Sequence, residues 1–326
     1  MSAAPIIQAD GISEEVVNFG SLSPLTGVVT LPAKQDSHPS RTAVIVLNAG
    51  TTHRVGPNRL HVGMARRLAG TGMPVLRFDH SGIGDSVVRQ DGRPFTESVP
   101  LETKEAMDCL EQSYGIRQFI LMGLCSGAAT AFVVARKDPR VIGALMINAT
   151  SHFHSDHPEL LESTYNRSLA RHTWRIALMS RYRFKSWRKV LTGQLSIRRV
   201  GANLLGGWAH PFSSRSQAAA RRTGKGPKPR LDIEGLVKRG VKLLHVYAEG
   251  DEGLDYFRLM LGRDLKPLTR NGTMEVRILK GVNHLFTQRW AQAALFEIVE
   301  EFARDIQSRA PGAPPQQMRT DRAQQP

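Results

Sequence analysis

The run FILMGLCSGAAT, residues Phe119 to Thr130, constrains this chain more than any other feature. An apolar stretch enters Gly123-Leu124-Cys125-Ser126-Gly127 and leaves through small residues, which reads as strand, tight turn and helix. Glycines two before and two after a centre are what a sharp strand-to-helix turn requires, because the two backbones pass too closely for a Cβ. Centring the pattern puts Cys125 at the tip. Ser126 would be flanked at the same offsets by Leu124 and Ala128, a poorer fit. It remains the alternative nucleophile, and its backbone N–H is a candidate donor to an oxyanion. A cysteine that merely packs at a strand end is the inert alternative. At a helix N-terminus the macrodipole favours the thiolate over the thiol, and a neighbouring imidazole favours it further.

The segments around this turn predict an α/β fold. Glu15 to Phe19 and Leu25 to Leu31 read as an antiparallel edge. Ala43 to Leu47, Val75 to Phe78, Phe119 to Met122 and Val141 to Ile147 are short apolar runs without alternation, as in parallel strands buried on both faces. Helical stretches lie between them, at Arg59 to Ala69, Leu101 to Tyr114 and Gly127 to Arg136. Such alternation implies right-handed crossovers and a doubly wound, mostly parallel sheet. After Asn148 the rhythm breaks for some 80 residues, resuming at Lys242 to Ala248 and Met274 to Leu279. We expect a core of residues 1–149 and 231–308, a helical cap at 150–230 inserted after the sixth strand, and a disordered tail at 309–326. Within the cap, Ser213 to Arg230 lacks large apolar residues and reads as a mobile loop. The last helix is expected over Phe286 to Ile306.

Charge is distributed unevenly. Of a net +15, Ser151 to Gly240 alone carries 18 Lys and Arg against 5 Asp and Glu, a net +13. The basic character therefore belongs to the cap, which suits an anionic substrate or carrier. The run Arg181 to Lys189 interleaves aromatics with cations, but an amphipathic helix with snorkelling stems accounts for it, and no nucleic-acid partner is expected. Two cysteines form no disulfide framework and suit a reducing compartment. The N-terminal MSAAPIIQADGISEE lacks the basic and apolar regions of a signal peptide, and no apolar run has the length of a membrane span. A cytoplasmic protein is expected.

A second motif follows Val75 to Phe78: Asp79-His80-Ser81-Gly82-Ile83-Gly84-Asp85-Ser86. Its glycines permit a turn that side chains would obstruct. His80 there is read as orienting the loop. With this D-x-x-G-x-G-x-S turn and the elbow, the chain resembles the α/β-hydrolases, specifically their serine-aminopeptidase-like branch, over roughly residues 40 to 150 and 240 to 305. His53 to Ser86 looks like hydrolases encoded beside exosortase and exopolysaccharide systems. The G-x-C-x-G elbow departs from the commoner G-x-S-x-G and is similar to that of dienelactone hydrolases.

The resemblance implies a triad in the chain order nucleophile, acid, histidine. His284, in Gly281-Val282-Asn283-His284 after the last strand, takes the histidine place. Asp251, in Val246-Tyr247-Ala248-Glu249-Gly250-Asp251, takes the acid place, with Asp255 and Asp156 as alternatives. The oxyanion donors implied are the N–H groups of Ser126 and of Thr51, in Asn48-Ala49-Gly50-Thr51. His245, within an apolar strand, is read as core. His152, His154 and His157 lie in no framework of further ligands and are read as solvated residues of a cap entrance, so neither metal nor cofactor is called for. The expected chemistry is acyl transfer from an ester, thioester or lactone, small or carrier-bound, through an acyl-cysteine. Acyl transfer to another acceptor, or a catalytically silent ligand-binding protein, are the rival readings.

Overall fold

The computed structural model describes residues 7–9, 11–21, 23–32, 40–150, 152–154, 227–270, 272 and 274–309. Nine strands form one sheet: β1 (Ile7–Ala9), β2 (Ile12–Phe19), β3 (Leu25–Pro32), β4 (Thr42–Leu47), β5 (Val75–Phe78), β6 (Gln118–Leu124), β7 (Val141–Ile147), β8 (Lys242–Ala248) and β9 (Glu275–Leu279). Their spatial order is β1-β2-β3-β5-β4-β6-β7-β8-β9. The first three strands and β5 pair antiparallel, and every pairing from β5 through β4 to β9 is parallel.

The α-helices among the described residues are α1 (Leu60–Gly70), α2 (Phe95–Tyr114), α3 (Ser126–Lys137), α4 (Pro229–Lys238), α5 (Glu252–Leu261), α6 (Leu265–Arg270) and α7 (Arg289–Arg309). The central strands show no hydrophobic alternation because both of their faces are covered. Ala43, Ile45 and Leu47 of β4 join Phe119 and Leu121 of β6 in a core under α2, α3, α4 and α5. Val44, Val46, Ile120 and Met122 face the opposite core, with Leu60, Met64 and Leu68 of α1 and Leu295, Val299 and Phe302 of α7. Each fully buried side chain of this size contributes about 1.5–3 kcal/mol through removal from water.

Three expectations shift. The short β1 makes β7 the seventh strand in the chain, so the insertion follows the seventh strand rather than the sixth; a three-residue edge strand carries no readable periodicity. Helix α2 starts at Phe95 rather than Leu101, accommodating Pro100 inside its length. The last helix begins at Arg289, because Phe286 takes a left-handed φ of 51° and closes a turn on the Asn283 carbonyl. Most of the expected cap, including Asp156, His157 and Arg181 to Lys189, and the tail beyond Arg309 lie outside the described residues. Among the described residues no helix is long and apolar enough to cross a membrane.

The chain reverses direction of winding between β4 and β6, neighbours whose following helices α1 and α3 pack on opposite faces. Open α/β sheets bind ligands at such a switch point, outside the carboxyl ends of the strands. Asn48 to Thr51 and Cys125 leave the sheet there side by side, since Leu47 pairs with Gly123.

Candidate active site

The turn after β6 is as tight as its glycines suggested. A Cβ on Gly123 would lie 2.1 Å from the Gly127 carbonyl carbon, and one on Gly127 would lie 2.5 Å from the Asn48 oxygen. Cys125 sits at the tip with φ 58° and ψ −116° and precedes the first residue of α3. A non-glycine residue held there stores strain, which the surrounding backbone maintains: the Cys125 N–H donates to the Ile147 carbonyl at 2.9 Å. Ser126, by contrast, has entered the helix.

The other half comes from the far end of the sheet. Asp251, 6% exposed, caps the N-terminus of α5 with one carboxylate oxygen, which accepts the Gly253 N–H at 2.8 Å. Its other oxygen lies 2.6 Å from His284 Nδ1. A carboxylate so fixed selects the tautomer that carries hydrogen on Nδ1 and stabilises the imidazolium. Hydrogen bonds to Asp251 and to Cys125 push the His284 pKa up to about 10, against partial burial. The structure thus brings Asp251, His284 and Cys125 together. Asp255 lies one turn further along α5.

In the loop after β4, the amide that reaches the elbow is that of Gly50, one residue before Thr51. It donates to Ser126 Oγ at 2.7 Å. Thr51 is exposed beside it. The loop itself is held from below. Asn48 donates to the Thr52 carbonyl at 2.8 Å and to Asp79 Oδ1 at 3.1 Å, and accepts the His80 N–H at 2.9 Å. Asp79, 0% exposed, also receives the Arg54 guanidinium and the Arg54 N–H. A Cβ on Gly84 would collide with Asp79 Oδ2, which explains the second glycine of the Asp79 to Ser86 motif. His80 meets Glu102 Oε2 at 3.2 Å in the core and orients this loop, as expected. His53, Asp79 and Asp85 bring ligand-type atoms close together, but Arg54 already pairs with both carboxylates.

Two histidines and one cysteine complete the neighbourhood. His245 is 0% exposed, neither ring nitrogen has a hydrogen-bond partner among the described residues, and burial pulls its pKa down to about 3. The expectation that His152 is a solvated residue is corrected: it is 0% exposed, packed against Phe132 and Phe153 and 5.6 Å from the His245 ring. The aromatic surroundings that bury it come from α3 and α5, out of reach of a local reading. Cys109 is half-buried on α2, and burial pushes its thiol pKa up.

One residue escaped the sequence reading. Asn148, fully buried with φ 45°, receives the Ala248 N–H at 2.8 Å and donates to the His284 carbonyl at 2.8 Å. An asparagine ending a buried apolar strand, able to take a left-handed conformation, was the available signal.

A family model described as the alpha/beta hydrolase fold matches residues 42–182. The chain has the alpha/beta-hydrolase fold. Among solved structures it is similar to a hypothetical protein from Pseudomonas aeruginosa (TM-score 0.55, 13% identity, covering 94% of this chain and 99% of the other). It is also similar to a proline iminopeptidase from Mycobacterium smegmatis (TM-score 0.55, 15% identity, 90% and 98%) and an esterase from Pyrococcus furiosus (TM-score 0.54, 13% identity, 93% and 99%). At these identities the likeness is one of fold. No curated protein matches the chain.

Proposed function

We propose that this alpha/beta-hydrolase-fold chain is a hydrolase of esters, thioesters or lactones that works through a covalent acyl-cysteine on Cys125. The observation that carries the reading is the His284 imidazole held between the buried Asp251 carboxylate and Cys125, with Cys125 on the strained turn. A proton retained on His284 suits a thiolate–imidazolium pair, whereas a serine nucleophile would need that imidazole neutral.

In this mechanism the Cys125 thiolate attacks the substrate carbonyl and a C–S bond forms. The resulting oxyanion is met by the Ser126 N–H and by an amide of the loop after β4. Thr51 is the donor implied by resemblance, and Gly50 is the one turned toward the elbow. His284 protonates the leaving group, whose bond to the acyl carbon breaks. It then takes a proton from water as the water attacks the thioester, and the acid and thiolate are released. The basic segment from Ser151 to Gly240 favours an anionic substrate or carrier. The free state of both cysteines fits a reducing, cytoplasmic setting. Transfer to an acceptor other than water would use the same thioester.

The test is iodoacetamide alkylation of Cys125, read by intact mass, in wild type and His284→Ala, beside hydrolysis of p-nitrophenyl esters and short acyl thioesters. Fast labelling that depends on His284 and abolishes turnover is expected. Turnover that survives full alkylation of Cys125 would move the nucleophile to Ser126. Slow, His284-independent labelling without turnover would favour a silent ligand-binding protein.

A further inference from the structure

The Ser126 side chain lies beside the candidate nucleophile, at the first residue of α3, and the nucleophile reading gives it no task. Its Oγ accepts the Gly50 N–H at 2.7 Å, across 76 residues of sequence, at the mouth of the turn that Cys125 occupies. Gly50 itself is in a left-handed conformation, with φ 58° and, among the described residues, nothing within 4 Å of where a Cβ would stand; its amide points to the Ser126 hydroxyl. The hydroxyl's own hydrogen finds no acceptor among the described residues. Ser126 is exposed, while Cys125 beside it is partly buried against the α1/α7 core.

We infer that the Ser126 hydroxyl is an oxyanion donor beside the Ser126 N–H, relaying the Gly50 amide to the substrate oxygen. This rests on the reading of Cys125 as nucleophile. When the thiolate adds to the carbonyl, the electron pair of the C=O bond moves onto oxygen. That oxygen receives the Ser126 N–H directly and the Ser126 O–H, the latter polarised by the hydrogen bond its oxygen accepts from Gly50. Hydrogen bonds in such a chain strengthen one another, and a donor fixed before the charge develops costs no reorganisation. No proton is transferred: when the tetrahedral adduct collapses, the oxygen regains its double bond and the hydroxyl keeps its hydrogen. The two neighbours also differ in what they meet. Cys125 is among the groups that raise the His284 pKa, and the loop amide donates to Ser126 Oγ.

Acetylation by p-nitrophenyl acetate should be compared with alkylation by iodoacetamide in wild type, Ser126→Ala, Ser126→Gly and Ser126→Thr, with the modified residue located by peptide mass. Displacement on iodoacetamide develops no oxyanion, so it reports the nucleophile alone. The expected result is acetylation of Cys125 slowed about 10²-fold in Ser126→Ala and Ser126→Gly, the size typical of one lost oxyanion donor. Alkylation should stay unchanged and Ser126→Thr should recover part of the acetylation. Equal or faster acetylation in Ser126→Ala would overturn the donor role, making the hydroxyl inert or an obstruction. Acetyl found on Ser126, in wild type quenched with acid during the first turnover, would overturn the nucleophile reading and this inference with it.

Discussion

The side-chain amide of Asn148 donates to the backbone carbonyl of His284 over 2.8 Å, while its oxygen accepts the Ala248 N–H over 2.8 Å. One buried side chain therefore ties the end of β8, three residues ahead of Asp251, to the loop that carries His284. Asn148→Ala leaves a carbonyl and an amide unpaired, costing about 1–3 kcal/mol for each group left buried. Its melting temperature should fall, and the pH profile of Cys125 alkylation should shift toward that of an ordinary thiol. Asn148→Asp keeps the acceptor and loses the donor, so it should share the altered profile. A destabilised Asn148→Ala protein with an unchanged profile would restrict the residue to holding the fold.

The pairing of His284 with Asp251 sets a pH window. The imidazole's folded pKa, about 10, stands above its ordinary 6.5, so folding binds the proton more tightly than the unfolded chain does. The stability this supplies is fully present below about 6.5 and is lost as pH rises through about 10. Urea midpoints between pH 6.5 and 10 should fall more steeply in wild type than in Asp251→Asn. Parallel stability curves for wild type and Asp251→Asn would show that the pair contributes nothing to folding.

His245 acts in the opposite direction. Its folded pKa of about 3 lies below the ordinary 6.5, so between these values the unfolded chain holds a proton that the native core refuses. Stability from this residue is intact above about 6.5 and drains away on acidification, with a slope approaching about 1.4 kcal/mol per pH unit for one proton. His245→Leu should flatten the loss of stability between pH 6.5 and 4 relative to wild type. An identical slope in both proteins would assign acid sensitivity elsewhere.

What the sequence made legible followed from local constraint. Val75 to Phe78, Val141 to Ile147 and Lys242 to Ala248 match β5, β7 and β8 residue for residue, because a strand covered on both faces must be continuously apolar. The elbow was legible because its two glycines answer a backbone collision. That the Gly50 amide meets Ser126 Oγ was not, since the twist of a loop is set by what it packs on. Asn148 and His152 were missed for a related reason: their surroundings come from β8, α3 and α5, assembled only when the sheet closes. Helix α2 ran past the expected boundary because Pro100 is tolerated within its length.

The two sulfurs of this chain are both partly buried but occupy unlike places, Cys125 on the turn after β6 and Cys109 within α2 with its proton held by burial. Every labelling trace therefore carries its own clock. Reagent on Cys109 records a thiol outside the site, while reagent on Cys125 records the site, and the ratio of the two cancels differences in protein concentration and reagent age between one preparation and the next.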